Sequence, residues 1–208
     1  MLLKIYEENP SPKAIQQVVQ CLSDGGIIIY PTDTVYGIGC SIYKQKAVEK
    51  ISQIKGIPLN KANFSLICNN LSDLSTYAKP LNNDFYKIMK HCLPGPYTFI
   101  LNASNNVPKL FMSKKKSVGI RVPDRNIIQA IVTELGHPIM STSIEIDRET
   151  VEYTIDPELI YEKYENIVDI VIDGGYGDVE GSTILDCTGD IIELVREGKG
   201  KVDFLILD

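Results

Sequence analysis

Gly26-Ile27-Ile28-Ile29-Tyr30-Pro31-Thr32-Asp33-Thr34-Val35-Tyr36-Gly37-Ile38-Gly39-Cys40-Ser41 is the stretch from which the rest of the chain can be read. Ile27 to Tyr30 have the pattern of a short buried strand. Pro31 ends that strand, because it has no N–H to give to a ladder. Three small polar side chains follow, Thr32, Asp33 and Thr34. Polar groups at the mouth of a buried strand must find partners or face a ligand. Gly37 and Gly39 then open a second run in which a missing Cβ lets the backbone approach something closely. Two readings stand on spacing alone: a plain strand, turn and strand, or a loop that handles a ligand.

Outward from this stretch, strand and helix patterns alternate, which predicts an α/β fold. Residues 2–6 read as an edge strand. Ser11-Pro12 opens a helix to about Ser23, with Ile15, Val18, Val19 and Leu22 as its apolar stripe. A second helix is expected over Lys44–Lys55, stopped by Gly56 and Pro58. Lys55 is favoured there by the helix dipole alone, so its position has a structural explanation as well as a functional one. Strands are expected at 63–68, 97–102, 117–122 and 139–143, and helices at 71–78, after Pro80-Leu81-Asn82-Asn83, and at 126–135. The acidic segment 145–157 is expected to be an irregular mobile loop, followed by a helix capped by Asp156. The late strands, 168–172, 182–187 and 191–195, follow one another without long helices, which predicts a mixed sheet.

The 208 residues are expected to form one domain over 1–208. The composition is 44% hydrophobic and 23% charged, with a mean hydropathy near zero, as for an ordinary globular protein. No apolar run reaches the eighteen or so residues of a membrane span, and the N-terminal decapeptide lacks the pattern of a signal peptide. No membrane association and a cytoplasmic location are expected. Five scattered cysteines without a Cys-x-x-Cys pair, and only two histidines, argue against a zinc site or a disulfide framework, so no metal site is assigned. The net charge of −6 opposes nucleic-acid binding by bulk electrostatics. The run Lys114-Lys115-Lys116 reads as a solvated loop.

Four predicted strand ends carry hydroxyl or guanidinium groups: Thr32/Thr34, Arg121, Ser141-Thr142-Ser143, and Ser182-Thr183 followed by Arg196. In open α/β sheets, ligands sit where such ends converge. Hydroxyls and backbone N–H groups suit carboxylates and ribose, and arginine and lysine suit phosphates. No Gly-x-Ser-x-Gly elbow, Walker loop or nucleophile–base pair is present, so any catalysis rests on positioning and charge stabilisation.

Pro31-Thr32-Asp33-Thr34-Val35-Tyr36-Gly37-Ile38-Gly39 resembles the opening motif of the YrdC/YciO-like family, whose best-known members are threonylcarbamoyl-AMP synthases. The resemblance extends over nearly the whole chain. It includes Ile54-Lys55-Gly56, Leu93-Pro94-Gly95-Pro96-Tyr97-Thr98, Val118-Gly119-Ile120-Arg121-Val122-Pro123, Ser141-Thr142-Ser143, Ser182-Thr183-Ile184-Leu185-Asp186 and Arg196-Glu197-Gly198. It implies an open twisted mixed sheet with helices on its faces around a deep cavity. The implied activity is a nucleotidyltransferase reaction that combines ATP, L-threonine and bicarbonate, with Mg2+ accompanying the ATP, for N6-threonylcarbamoyladenosine modification of tRNA. By resemblance, Thr34 and Arg121 hold the threonine, and Ser182 and Thr183 line the same cavity. Lys55, Ser117, Ser143 and Arg196 lie near the nucleotide and its phosphates.

The sequence departs from the synthases twice. Their Lys-x-Arg after the second helix becomes Lys55-Gly56-Ile57, and their Ser-x-Asn becomes Ser143-Ile144-Glu145. A carboxylate beside phosphates repels them unless a cation bridges it; Lys61 and Arg148 are the replacement cations to consider. One lost phosphate contact costs roughly 1.5–3 kcal/mol, about tenfold to a hundredfold in affinity. Together with Asn63-Phe64-Ser65-Leu66-Ile67-Cys68 and Pro94-Gly95-Pro96-Tyr97-Thr98, these departures place the resemblance in the YciO branch and predict weak or altered synthase activity. The alternatives are a double-stranded RNA- or tRNA-binding protein of the same fold, and an enzyme acting on a different acyl-adenylate.

Overall fold

The computed structural model describes residues 1–59, 64–108, 116–145 and 149–203. The elements in chain order are β1 (Leu2–Lys4), α1 (Pro12–Asp24), β2 (Ile28–Tyr30), β3 (Gly37–Ser41), α2 (Gln45–Ile54), β4 (Ser65–Ile67), α3 (Leu71–Tyr77), α4 (Asn83–Cys92) and β5 (Tyr97–Asn102). They continue with β6 (Ser117–Arg121), α5 (Asn126–Leu135), β7 (Ile139–Ser143), α6 (Glu152–Ile155), α7 (Pro157–Tyr164), β8 (Ile170–Asp173), β9 (Thr183–Asp186) and β10 (Glu193–Arg196). The expected alternation holds.

Local chemistry explains most boundaries. β2 stops at Tyr30, one residue before Pro31. α1 and α5 end on Gly25 and Gly136 at positive φ, the left-handed cap that glycine adopts without strain. Asn70, Asn82 and Asp156 accept backbone N–H bonds as the caps of α3, α4 and α7. Ser11 stands at the α1 cap but makes no side-chain cap bond, and Pro12 supplies the entry instead. The first N–H of α5, at Asn126, donates to the carboxylate of Glu7 beyond β1. The segment 145–157 is more ordered than its acidity suggests. It contains α6, whose Thr154 is fully buried, while residues 146–148 lie outside the described residues.

Ten strands form one mixed sheet in the order β1-β8-β2-β3-β7-β4-β6-β5-β9-β10. β1/β8, β2/β8, β4/β6 and β5/β9 are parallel; β2/β3, β3/β7, β4/β7, β5/β6 and β9/β10 are antiparallel. Residues paired across a sheet share a face. The paired row Ile28–Gly39–Ser141–Ser65–Gly119–Ile100 therefore defines one face. The opposite face carries Ile38, Met140, Leu66, Ile120, Phe99 and Leu185 against buried residues of α2, α3, α4 and α7 in one large apolar cluster.

The first face is divided. Over β8, β2 and the near ends of β7 and β4, Ile28, Tyr30, Ile67, Ile139 and Ile172 are covered by α1 and α5 through Val18, Leu22, Ile127 and Ile131. Over β4, β6 and β5 it carries Ser65, Gly119, Ile100 and Asn102, all partly exposed, and among the described residues no helix packs on it. Small side chains keep this part low: a Cβ on Gly119 would stand 2.8 Å from Ser65 Oγ. This bare area is the floor of the sheet.

The two motif glycines serve the fold. A Cβ on Gly39 would stand 2.6 Å from the Met140 carbonyl, and one on Gly37 3.0 Å from the Tyr30 ring. Their close neighbours are strand β7 and the phenol that donates to Ser141 Oγ at 2.5 Å. Burial pushes that phenol up to about 12, so it stays a donor. Cys40, Cys68, Cys92 and Cys187 are buried and Cys21 is half-buried; all five are free thiols acting as small hydrophobes.

Candidate functional site

The expected site residues fall into two groups at opposite ends of β6. β6 runs from Ser117 to Arg121, so these two residues share a face and lie about 13 Å apart along the strand. Arg121 pairs with Ile67, and Tyr97, at the start of β5, pairs with Thr183. Arg121, Ser182, Thr183 and Arg196 thus gather at one end. At the other end, Ser143 pairs with Gly37, and Ser117 with Asn102. Ser143 and Ser117 thus stand at the opposite end of β6 from Arg121.

Arg121 organises the first group. The loop between β2 and β3 folds over the sheet and presents Asp33 and Thr34 to it. Arg121 Nη2 donates to Asp33 Oδ1 and to Thr34 Oγ1, both at 3.0 Å. Thr32 locks the loop: its hydroxyl donates to the Val35 carbonyl at 2.8 Å and accepts from Thr34 N–H at 3.0 Å. Thr34 Oγ1 lies 3.0 Å from Thr32 Oγ1. With the Thr32 proton already committed, the Thr34 hydroxyl is the donor in that contact. Its single proton is therefore spent within the loop, and its oxygen orients the guanidinium. Asp33 Oδ2 accepts from Asp124 N–H at 3.1 Å. Arg121 is 8% exposed, yet its Nε has no hydrogen-bond partner among the described residues. A buried charged donor without a partner is costly.

Arg196 lies beside it. Its Nε and Nη2 donate to the Ser182 carbonyl at 3.1 and 2.7 Å. Partial burial, and then the positive charge of Arg121, lower its pKa, so the two guanidinium groups repel across shared space. Ser182 Oγ lies 2.8 Å from Thr98 Oγ1. Thr183 is fully buried on the opposite face. It donates to the Gly200 carbonyl at 2.6 Å and accepts from Gly198 N–H at 3.0 Å, so it stitches the segment after β10 to β9. Lys199, on that segment, donates to the Asp33 carbonyl at 2.9 Å and to Asp178 Oδ2 at 2.7 Å.

The second group centres on Lys55 at the end of α2. Its Nζ donates to the Ser143 carbonyl at 3.0 Å. Burial lowers its pKa; Lys163 acts in the same direction and Glu145 against it. Glu145 Oε2 lies 3.8 Å from Lys163 Nζ on α7. The cation facing Glu145 is therefore Lys163, while Lys61 and Arg148 lie outside the described residues, as do Lys114 and Lys115. Ser117 is buried at this end, and Ile57 is exposed.

Among the described residues no group of three or more His, Cys, Asp or Glu side chains is placed to hold a metal ion. Asp33, Asp178 and Glu145 each already face a cation, so the donor set does not fit a resident Mg2+. No described helix is long and apolar enough to cross a membrane. Asp33 and Thr98 stood in quoted motifs and could have been assigned from them, and Lys199 directly follows Arg196-Glu197-Gly198. Lys163 and Asp178 carry no local signal; only the fold brings them in.

The family described as Sua5/yciO/yrdC, "Telomere recombination", matches residues 20–198. The chain is 42% identical over 200 residues to the uncharacterized protein YciO of Escherichia coli (strain K12), covering 95% of each. The crystal structure of E. coli YciO superposes with a TM-score of 0.90 at 40% identity, covering 98% of both chains. The threonylcarbamoyl-AMP synthase of Vibrio vulnificus (strain YJ016) is 29% identical over 187 residues, 88% of this chain and 98% of that one. P. abyssi Sua5, solved in complex with L-threonine, shares the fold with a TM-score of 0.83 at 23% identity, over 95% of this chain and 57% of that one. With a family match from residue 20 to residue 198, the chain belongs to the Sua5/YciO/YrdC family.

Proposed function

We propose that this protein is a threonylcarbamoyl-AMP synthase-like enzyme of the YciO type. It binds a nucleotide and L-threonine over the bare floor and forms threonylcarbamoyl-AMP from ATP, threonine and bicarbonate at a low rate. The observation that carries this reading is Arg121: a buried guanidinium with an unpaired Nε, fixed by the Pro31–Thr34 loop beside a second arginine. That geometry suits a carboxylate at this end. The similarity to a named synthase over 88% of the chain supports the reaction class.

In this reading Arg121 and Arg196 hold the threonine carboxylate, Thr34 and Asp33 position Arg121, and Ser182 and Thr98 contribute hydroxyls. Lys55, with Ser143 and Ser117, meets the nucleotide phosphates at the far end. The Mg2+ arrives on the nucleotide's own phosphates. No side chain acts as nucleophile; catalysis comes from orientation and charge stabilisation of the leaving pyrophosphate.

The test is pyrophosphate release from ATP, Mg2+ and bicarbonate with and without L-threonine, with Lys55→Ala alongside. Threonine-dependent release lost in the variant is expected. Release that ignores threonine would transfer the reading to another acyl acceptor. No release, together with no nucleotide binding, would end it and move attention to tRNA binding.

A further inference from the structure

The peptide unit between Asp33 and Thr34 is held from both sides. Its N–H donates to Thr32 Oγ1 at 3.0 Å, and its carbonyl accepts from Lys199 Nζ at 2.9 Å. The side chains that flank this peptide, Asp33 and Thr34, are the two that accept from Arg121 Nη2. The peptide is a rigid plane, so its orientation sets where both acceptors stand. Thr32 reaches it from two residues away in the same loop, whereas Lys199 comes from 166 residues further along the chain.

Lys199 is itself fixed. Its N–H donates to the Gly181 carbonyl at 3.0 Å. The buried Thr183 hydroxyl brackets it, accepting from Gly198 N–H at 3.0 Å and donating to the Gly200 carbonyl at 2.6 Å. The ammonium also meets Asp178 Oδ2 at 2.7 Å, and Asp178 Oδ1 accepts from the N–H groups of Val179 and Glu180. Burial acts to raise the Asp178 pKa, but these contacts outweigh it and lower the value, so the carboxylate stays charged. The Lys199 and Asp178 side chains are 43% and 32% exposed, and pairs this open add little to folding. A lysine anchored through its backbone and aimed at a main-chain carbonyl contributes geometry rather than stability.

We propose that Lys199 is a positioning residue of the Arg121 site: it orients the Asp33–Thr34 peptide and through it the guanidinium, and Thr183 fixes Lys199 for this task from the far face of the sheet. The inference rests on the threonine site of the proposed function and deepens it. It gives Thr183 a part in the site although its side chain points away from the floor. The relay runs from Thr183 through Gly198 and Gly200 to Lys199, then to the Asp33–Thr34 peptide, then to Arg121.

The experiment is calorimetric titration of the full chain with AMP, and with L-threonine in the absence and presence of AMP. Lys199→Met is expected to weaken threonine binding about tenfold, the scale of one charge-assisted hydrogen bond. AMP affinity is expected to stay within about twofold, because Lys55 lies at the other end of β6 and distant sites act independently. The thermal midpoint is expected to move by less than about 4 °C, as for an exposed pair in a chain of this size. Lys199→Arg, which keeps the donor, is expected to restore most of the threonine affinity. Thr183→Val is expected to weaken threonine binding about threefold in the wild type and not at all in Lys199→Met, because two links of one relay are not additive. Unchanged threonine affinity in Lys199→Met, an equal loss of AMP affinity, or additive losses at Thr183 and Lys199 overturns the inference alone. A wild type that binds no threonine, with or without AMP, overturns the threonine reading and the inference with it.

Discussion

At the end of β6, Arg121 is fixed by two partners at 3.0 Å and shut away from water. At the end of α2, Lys163 stands 3.8 Å from a Glu145 side chain that is 74% exposed. The two ion pairs sit on one sheet and do opposite things. The first is preorganised: its geometry is set by the strand, the Thr32–Thr34 turn and the Asp124 N–H. The second is a surface adjustment of charge that a single substitution can retune. Preorganisation has a stability consequence, because a buried ion pair favours folding only while both partners are present.

The largest effect therefore belongs to Arg121. Arg121→Gln leaves Asp33 buried beside a neutral amide and is expected to cost about 3 kcal/mol. For a chain of this size that lowers the melting midpoint by roughly 6–12 °C. Asp33→Asn combined with Arg121→Gln is expected to recover part of the loss in the same thermal scan. Lys163→Gln is expected to cost less than about 0.5 kcal/mol, as for other exposed pairs. Equal costs at the two ends would break the comparison.

Two glycines separate fold from floor at a smaller scale. An alanine at Gly39 sets its Cβ against the Met140 carbonyl at 2.6 Å and Ile139 Cγ2 at 2.7 Å, so backbone must shift. Gly39→Ala is expected to destabilise by about 1–3 kcal/mol. Gly119→Ala is tight only against the Ser65 hydroxyl, at 2.8 Å, which can rotate away, and meets the Phe64 carbonyl and Ser65 Cβ at an ordinary 3.5 Å. It is expected to cost under about 1 kcal/mol in stability while raising the floor, weakening AMP binding severalfold in the titration described above. A Gly119→Ala protein that binds AMP normally would show that ligand does not rest on this part of the sheet.

Much of the fold was legible because its signals are local. Pro31 ends a strand, Gly136 caps a helix, and Ile15, Val18 and Leu22 make an apolar stripe, whatever surrounds them. The site was legible only as a set of residues. Strand pairing decides which ends meet, and the antiparallel pairing of β4 with β7 puts Ser143 at the opposite end from Arg121, which no local pattern reveals. Thr183 points away from the floor because β9 pairs with β5 in the register that aligns it with Tyr97. Lys163 follows Glu145 by eighteen positions, with a loop and α6 between them, and becomes its partner only when α7 packs against the sheet. The acidity of 145–157 suggested an open loop, yet burial of Thr154 in α6 overrode it.

The smallest expected effect isolates the α2 end through pH. Burial holds the Lys55 pKa below the usual lysine value of 10.5, so a charged Lys55 is less comfortable in the folded chain than in the unfolded one. Between its lowered pKa and 10.5 the unfolded chain binds more protons, and stability rises with pH across that window. Under the proposed function anion binding runs the other way, because the same deprotonation removes the ammonium proposed to meet the phosphate. Opposite slopes in urea unfolding and in AMP affinity, both flattened by Lys55→Met, are the expected result. Parallel slopes, or slopes that survive the substitution, would mean that Lys55 is neither strained by burial nor in contact with the ligand, and the α2 end would lose its role in binding while the Arg121 end kept its own.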